Sequence, residues 1–201
     1  VVTDLTCRVA RPATPADFER LRQVLMGAFA ADPVHLWMFP DPASRSRRQA
    51  RLFRRVLAIY WHSGAIWTTD DVAGAALWEP PRQGGPTVTQ FLDFVLSVVP
   101  VFGCRALSVV RAMAPLSVLH PPEPHWYLAI LGSEPSRQRS GVGRALLAPV
   151  LRCCDEQGLP AYLEASREEN IAYYERYGFE FVAPYALPGG PSVYRMLRPP
   201  R

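Results

Sequence analysis

The stretch Ser136–Leu147, SRQRSGVGRALL, places three arginines, a glutamine and two glycines just ahead of an apolar helical pattern. A loop that runs straight into a helix leaves backbone N–H groups free at the positive helix end. Gly141 and Gly143 remove the side chains that would hold a ligand off that backbone, and Arg137, Arg139 and Arg144 add full charge beside it. Phosphate oxygens bind such a segment on electrostatic grounds alone. Close packing against another helix is the competing use of the glycines, and the residues by themselves leave both open.

Two nucleotide-binding signatures can be compared with the segment. A Walker A loop requires Gly-Lys-Ser/Thr, which does not follow here. A Rossmann turn fits better, since a strand precedes, a helix follows, and Glu164 ends the next strand about where a ribose-binding acid would sit. Against it, Leu146 occupies the third glycine position, the strand ends well before Gly141, and no second βαβ half follows.

The elements that must carry these residues can be read from periodicity. Residues 8–11 form a short strand, and Thr14-Pro15-Ala16-Asp17 opens a helix with Phe18, Leu21, Leu25, Ala28 and Phe29 in register. Ala31–Pro42 (ADPVHLWMFPDP) reads as a loop rich in proline and aromatics. A helix over Ser44–Ser63 sets Phe53, Val56, Leu57 and Tyr60 on one face and six arginines largely on the others, a solvated face. Ala65–Thr69 and Val72–Trp78 make a hairpin about Asp70-Asp71. Residues 88–118 give two apolar helices broken near Pro100–Gly103. His125–Leu131 is a buried strand. The helix from Gly141 to Gln157 has the stripe Val142, Ala145, Leu146, Pro149, Val150, Cys153, with a kink expected at Pro149. The remaining expectations are a strand at Ala161–Ala165, a helix at Glu169–Tyr177 ended by Gly178, and strands at Phe179–Ala183 and Ser192–Leu197.

Composition narrows the function classes. The chain has 201 residues and a net charge of +4, and every basic side chain is Arg. That balance suits a protein handling a phosphorylated ligand, but the arginines lack the interleaved aromatics of a nucleic-acid surface. Cys7, Cys104, Cys153 and Cys154 show neither C-x-x-C spacing nor histidines at ligand distance, so no metal site or disulfide framework is expected. VVTDLTCR resembles no signal or transit peptide, and Phe91–Cys104 is too short and interrupted to span a bilayer. A cytoplasmic protein without membrane or nucleic-acid partners is the expectation.

Gln138-Arg139-Ser140-Gly141-Val142-Gly143 resembles the Gln/Arg-x-x-Gly-x-Gly signature of the GNAT acetyltransferase superfamily. WYLAIL before it, YLEAS after its helix and NIAYYERYGFEF with its Tyr-x-x-x-Gly-Phe ending follow the superfamily order. Within it, the segment from about Pro124 to the C-terminus is most similar to puromycin N-acetyltransferase and its bacterial relatives, and the likeness thins at AFAADP (Ala28–Pro33). The resemblance implies an α/β (α+β) fold in one domain over 1–201: a mixed twisted sheet of about six or seven strands with helices on both faces. Residues 8–120 would form the acceptor side and 121–201 the acetyl-CoA core. Acetyl-CoA would lie where the strand ending at Leu131, Gly132 and Ser133 splays from the one ending near Glu164. The pantetheine would pair with that backbone, and the pyrophosphate would rest on the N–H groups of Gln138, Arg139, Ser140, Gly141, Val142, Gly143 and Arg144. Ser133 and Arg139 depart from the usual branched apolar residue and glycine.

Acetyl transfer from a thioester to an amine needs a base for the amine proton, donors for the oxyanion and an acid for the thiolate. The resemblance gives the acid to Tyr174, four residues before Gly178, with Asn170 one turn earlier near the pantetheine. Tyr173 is expected to point elsewhere. The base is open among His125, Glu79, Glu164 and water, while His120, His62 and His35 read as ordinary loop or helix residues. Asp32, Trp37 and Phe39 suit an aromatic or cationic acceptor, and a loop anchored by buried aromatics is the competing reading. The implied activity is acetylation of a small-molecule amine, a drug or secondary metabolite, by a monomer or homodimer. A protein or peptide acceptor, or a non-catalytic CoA-binding module, is the alternative.

Overall fold

Asp17 shows how the chain enters its first helix. Its carboxylate accepts the Thr14 N–H at 2.8 Å and holds the Arg11 guanidinium at 2.7 and 3.0 Å. Those partners hold it well below the usual carboxylate range. Strand β1 (Ala10–Pro12) is thereby tied to a 3-10 turn (Pro15–Asp17) and to α1 (Phe18–Ala28). The structure, a computed structural model, describes residues 9–63, 65–81 and 100–201.

After α1 come α2 (Pro33–Met38), α3 (Pro42–Ser63), β2 (Ala65–Thr69), β3 (Gly74–Glu79) and α4 (Ala106–Val118). The second half runs β4 (Trp126–Ser133), α5 (Val142–Gln157), β5 (Ala161–Ala165), α6 (Ile171–Glu175), β6 (Glu180–Ala186) and β7 (Ser192–Arg198). One seven-stranded sheet has the order β1-β2-β3-β4-β5-β7-β6. Every adjacent pair is antiparallel except β4 and β5, whose parallel pairing requires the crossover that α5 supplies.

Helices cover both faces. On one, Leu146, Leu147, Val150 and Cys154 of α5 pack with Trp78, Leu128, Leu163 and Phe179. On the other, Leu21, Leu25, Phe53 and Leu57 cover Ala75 and Leu77. A third cluster joins Phe39, Phe102, Val109 and Leu116 to Val193 of β7.

Two local expectations change. The Ala31–Pro42 segment is not all loop: Asp32 accepts the N–H groups of Val34 and His35 at 3.0 and 3.1 Å, and Pro33 starts α2. The buried stripe of α5 takes in Leu147, Leu151 and Cys154, while Pro149 and Cys153 are only half-buried, and the helix continues through Pro149. Of the 88–118 pair, residues 88–99 lie outside the described residues, as do Cys7 and residue 8 of the first strand. Pro100–Val118 is long and apolar enough to cross a membrane by length and composition. Its Val101, Phe102, Ala106, Val109, Ala112 and Leu116 are buried in the third cluster, and Leu107 and Val118 are exposed.

His35 reports on that cluster's edge. Its ring stacks on Phe53 at 5.2 Å and lies 5.0 Å from Phe29, and burial pulls its pKa down to about 4. The unfolded chain, with an ordinary histidine near 6.5, binds the extra proton between those values. Stability is therefore full above about pH 6.5 and falls by about 3 kcal/mol as pH drops toward 4. Urea denaturation of wild type should show this slope between pH 6.5 and 4.5, and His35→Leu should abolish it. An equal slope in both proteins would refute the assignment.

Candidate active site

The arginine-glycine loop is braced before it reaches α5. Arg137 holds Asp71 at 2.5 Å, Ser140 Oγ donates to the Arg137 carbonyl at 2.6 Å, and Arg20 pairs with Glu134 at 3.0 Å. Arg139 takes φ +61 and Gly141 φ +85. The arginine thus adopts a backbone that favours glycine, strain of about 1 kcal/mol held where its charge faces outward. A Cβ on Gly141 would have nothing within 4 Å, and α5 begins with no side-chain cap. Gln138, Arg139, Ser140 and Arg144 are exposed around these uncapped N–H groups. An open left-handed glycine, a bare helix start and two exposed guanidiniums form a cradle that fits a pyrophosphate.

The other glycines have packing duties. A Cβ on Gly74 would lie 2.6 Å from Val142 and 2.9 Å from Leu146, so its absence lets the α5 N-terminus sit down on β3. Gly132 performs the same service for α1, with Ala28, Phe29 and Leu25 at 3.0 to 3.1 Å. Gly143 corrects an expectation: the space of its missing side chain is taken by the Tyr173 hydroxyl, with Leu131 beside it. Tyr173 therefore reaches from α6 to the first turn of α5 instead of pointing away.

Between β4 and β5 lies the cleft. Trp126, Tyr127 and Leu128 pair with Ala161, Tyr162 and Leu163, and there the ladder ends. A bulge at Ala129 interrupts the β3 ladder at the same level, where Leu77 faces Ile130 and Trp78 faces Leu128. Leu131, Gly132 and Ser133 stay paired with β3 through Ala76, Ala75 and Gly74, so their other edge, no longer laddered to β5, faces the gap.

On the α1/α3 face of the sheet a polar cluster gathers three base candidates. Cross-strand register sets Glu79 opposite Tyr127, Tyr127 opposite Tyr162, and Glu164 opposite Arg195, all on one face. Tyr60 donates to Glu79 at 2.6 Å and Tyr127 donates to Glu164 Oε2 at 2.8 Å. Burial and the nearby Glu164 carboxylate push the Tyr127 phenol well up. His120, read from sequence as an ordinary residue, lies between the other two: its Nδ1 is 3.2 Å from His125 Nε2 and its Nε2 is 3.4 Å from Glu164 Oε1. Tyr162 Oη, Glu164 Oε1 and Arg195 Nε are buried and make no protein hydrogen bond. A pocket of about 270 Å³ is lined by His120, Tyr162, Arg195 and Leu197, among others. His120 had no local motif to mark it; only the turn after α4 carries it to the sheet.

Tyr174 lies on the opposite face, its ring 5.8 Å from Phe179 and 5.1 Å from Tyr173, with burial raising its phenol. Asn170 sits at the start of α6, one turn earlier. The acceptor-side trio is redistributed. Asp32 is a buried cap that also accepts from Ser166 Oγ, so it offers no open charge to an amine. Phe39 is core, stacked on Phe102 at 5.4 Å. Trp37 packs against Gly190 under the Arg105 guanidinium, 5.8 Å from its ring. Among the described residues no group of His, Cys, Asp and Glu could hold a metal ion.

Residues 31–179 match the Acetyltransferase (GNAT) family. The chain belongs to that family. An N-acetyltransferase of Schizosaccharomyces pombe is 25% identical over 191 residues, 86% of this chain and 74% of that protein. The crystal structure of a histone acetyltransferase HPA2 and related acetyltransferase from Corynebacterium glutamicum has TM-score 0.74 and 28% identity, covering 96% of this chain and 97% of that one. Drosophila melanogaster polyamine N-acetyltransferase, which forms N-acetylagmatine, shares the fold at TM-score 0.63 and 10% identity, covering 96% and 99%. This GNAT protein is an acetyl-CoA-dependent N-acetyltransferase.

The contact between Tyr173 and Gly143 can be measured as a coupling. Alone, Gly143→Ala sets the helix-propensity gain of about 1 kcal/mol against a collision with the phenol oxygen. In a Tyr173→Phe background the oxygen is gone, only the ring carbon at 3.3 Å still crowds the new Cβ, and most of the collision should be relieved. Thermal unfolding of the four proteins should give a coupling of about 1 kcal/mol, and strict additivity would remove the contact.

Proposed function

We propose that this GNAT enzyme transfers the acetyl group of acetyl-CoA to the amine of a small molecule by direct attack. The observation that carries the reading is the closure of the cleft's acceptor side. Ser166 and Arg167, just past β5, donate to Asp32 and to the Ala31 carbonyl, so the turn before α2 is strapped across the strand end. Tyr60 of α3 and the His120 turn wall the cluster from two other sides. A walled site favours a small acceptor over a protein or peptide lying in an open groove. A drug or secondary metabolite of the kind puromycin N-acetyltransferases modify fits this site, and antibiotic resistance is the corresponding biological reading. We place the enzyme in the cytoplasm, as one domain acting as monomer or homodimer, without membrane or nucleic-acid partners.

In this mechanism the loop Gln138–Arg144 holds the pyrophosphate, and the free edge of Leu131, Gly132 and Ser133 pairs with the pantetheine near Asn170. Its N–H groups supply the oxyanion donors. The acceptor amine approaches from the face of Glu79, Tyr127 and Glu164, and Tyr174 faces the sulfur from the other. Burial keeps the Tyr174 phenol protonated at neutral pH, so it holds a proton that the departing thiolate can take. That pairing of groups across the cleft argues against a CoA-binding module without turnover.

Coenzyme A release with puromycin, agmatine, tyramine and a histone-tail peptide as acceptors tests the substrate class. Turnover of the peptide alone would overturn the small-molecule reading. For the acid, Tyr174→Phe should lower kcat by about 10²–10⁴ with acetyl-CoA affinity retained. Tyr173→Phe should act mainly on the KM for acetyl-CoA, because its hydroxyl touches the first turn of α5. A Tyr174→Phe enzyme with near wild-type kcat would take the acid role away.

A further inference from the structure

The hydrogen bonds around Glu164 run toward one point from both ends. At the surface, the Glu123 carbonyl can only accept, and it lies 2.8 Å from His125 Nδ1, so that nitrogen carries the proton. A neutral His125 then presents a bare Nε2, and His120 Nδ1, 3.2 Å away, must donate to it. His120 Nε2 is left bare in turn. From the other end, Tyr127 Oη donates to Glu164 Oε2 at 2.8 Å, and burial keeps that phenol protonated. Glu164 Oε1 has no hydrogen bond. Two acceptor atoms, His120 Nε2 and Glu164 Oε1, therefore lie 3.4 Å apart with no hydrogen bond between them. Two acceptors at that separation repel unless a proton or a shared donor lies between them.

We propose that His120 is the general base of the reaction: the substrate ammonium bridges His120 Nε2 and Glu164 Oε1, and His120 takes its proton. The proposal rests on the reading of this face as the acceptor side. One proton passes from the ammonium nitrogen to His120 Nε2, and the freed lone pair forms the C–N bond to the acetyl carbon. The C–S bond breaks as the thiolate receives a proton, and the second amine proton leaves with solvent. The resulting imidazolium sits against the Glu164 carboxylate, which offsets its charge, and the His125 ring leads from it to the exposed Glu123 carbonyl. The titratable and charged groups around it are Tyr127 from β4, Tyr162 and Glu164 from β5, Arg195 from β7, and His125 and Glu123 from the connecting turn. Glu79 and Tyr60 act through Tyr127. The ring of His120 is fixed by Tyr127 at 4.6 Å and Tyr162 at 4.7 Å, so its lone pair has a set direction.

The tautomers can be read without turnover, by long-range ¹H–¹⁵N NMR of histidine side chains in the wild-type protein. Both His120 and His125 should be Nδ1–H tautomers, and a proton on His120 Nε2 would overturn the proposal. The kinetic arm uses benzylamine, an ammonium at neutral pH, and aniline, already neutral there. His120→Gln should lower kcat/KM for benzylamine by about 10²–10⁴ at pH 7, with the loss shrinking about tenfold per pH unit as solvent does the deprotonation. For aniline the loss should stay within about tenfold. An equal, pH-independent loss for both amines marks a merely structural histidine and overturns the proposal. A wild type idle on both amines instead counts against the small-amine reading, while the tautomer measurement still decides His120.

Discussion

β4 and β5 remain paired only from Trp126 to Leu128 and then part, and the rest of the site depends on that separation. A parallel pair needs a crossover, and α5 makes it on one face, leaving its N-terminus at the mouth of the gap. The bulge at Ala129 turns β4 at the level where the ladder ends, so Leu131, Gly132 and Ser133 keep β3 as a partner and leave one edge free. The gap opens between two strands of one sheet, so side chains of both faces border it. Tyr174 belongs to the α5 face and Glu164 to the other, so the mechanism proposed above draws its acid and its acceptor-side groups from opposite faces.

Holding the gap open is a packing problem, and small residues solve it. Gly74 lets Val142 and Leu146 seat α5 on β3, and Gly132 lets α1 close over β4 from the other side. The strand tip is therefore clamped between two helices while its edge stays free. The straps from Ser166 and Arg167 to Asp32 and Ala31 fix the far side, tying the loop before α2 to the end of β5. A loss of the Asp32 cap would release both α2 and the strap.

Much of this was legible in the sequence, for identifiable reasons. Long amphipathic helices and apolar strands announce themselves by period, so α1, α3, α5, β2, β4 and β5 stand close to where the residues put them. The loop signature Gln138–Gly143 is contiguous and therefore readable. The helix α2 was hidden by its brevity and its flanking prolines, although Asp32-Pro33 is a helix start in plain form. For Asp32 and Phe39 the sequence leaves acceptor contact and buried anchor open, because residue type does not reveal burial; Phe39 is core and Asp32 a cap. His120 was set aside because its neighbours are distant in sequence: Glu164 and Tyr162 meet it only through the parallel crossover.

The two glycines of the loop resolve into different physical tasks. Gly141 is required by its backbone, at φ +85 with open space where a side chain would stand, and its neighbour Arg139 adopts the same hand at a cost. Gly143 is required by a neighbour, since the Tyr173 hydroxyl fills the place of its Cβ. Close packing, one of the two uses the sequence left open for the pair, belongs to Gly143 alone, while Gly141 leaves open space above its backbone. Tyr173 fills the Cβ position of Gly143 in the first turn of α5, with Leu131 also near that position, Tyr174 and Tyr177 against its ring and Arg176 over its face. The first turn of α5 and α6 are thus joined through this one phenol, next to the helix start that the loop leads into.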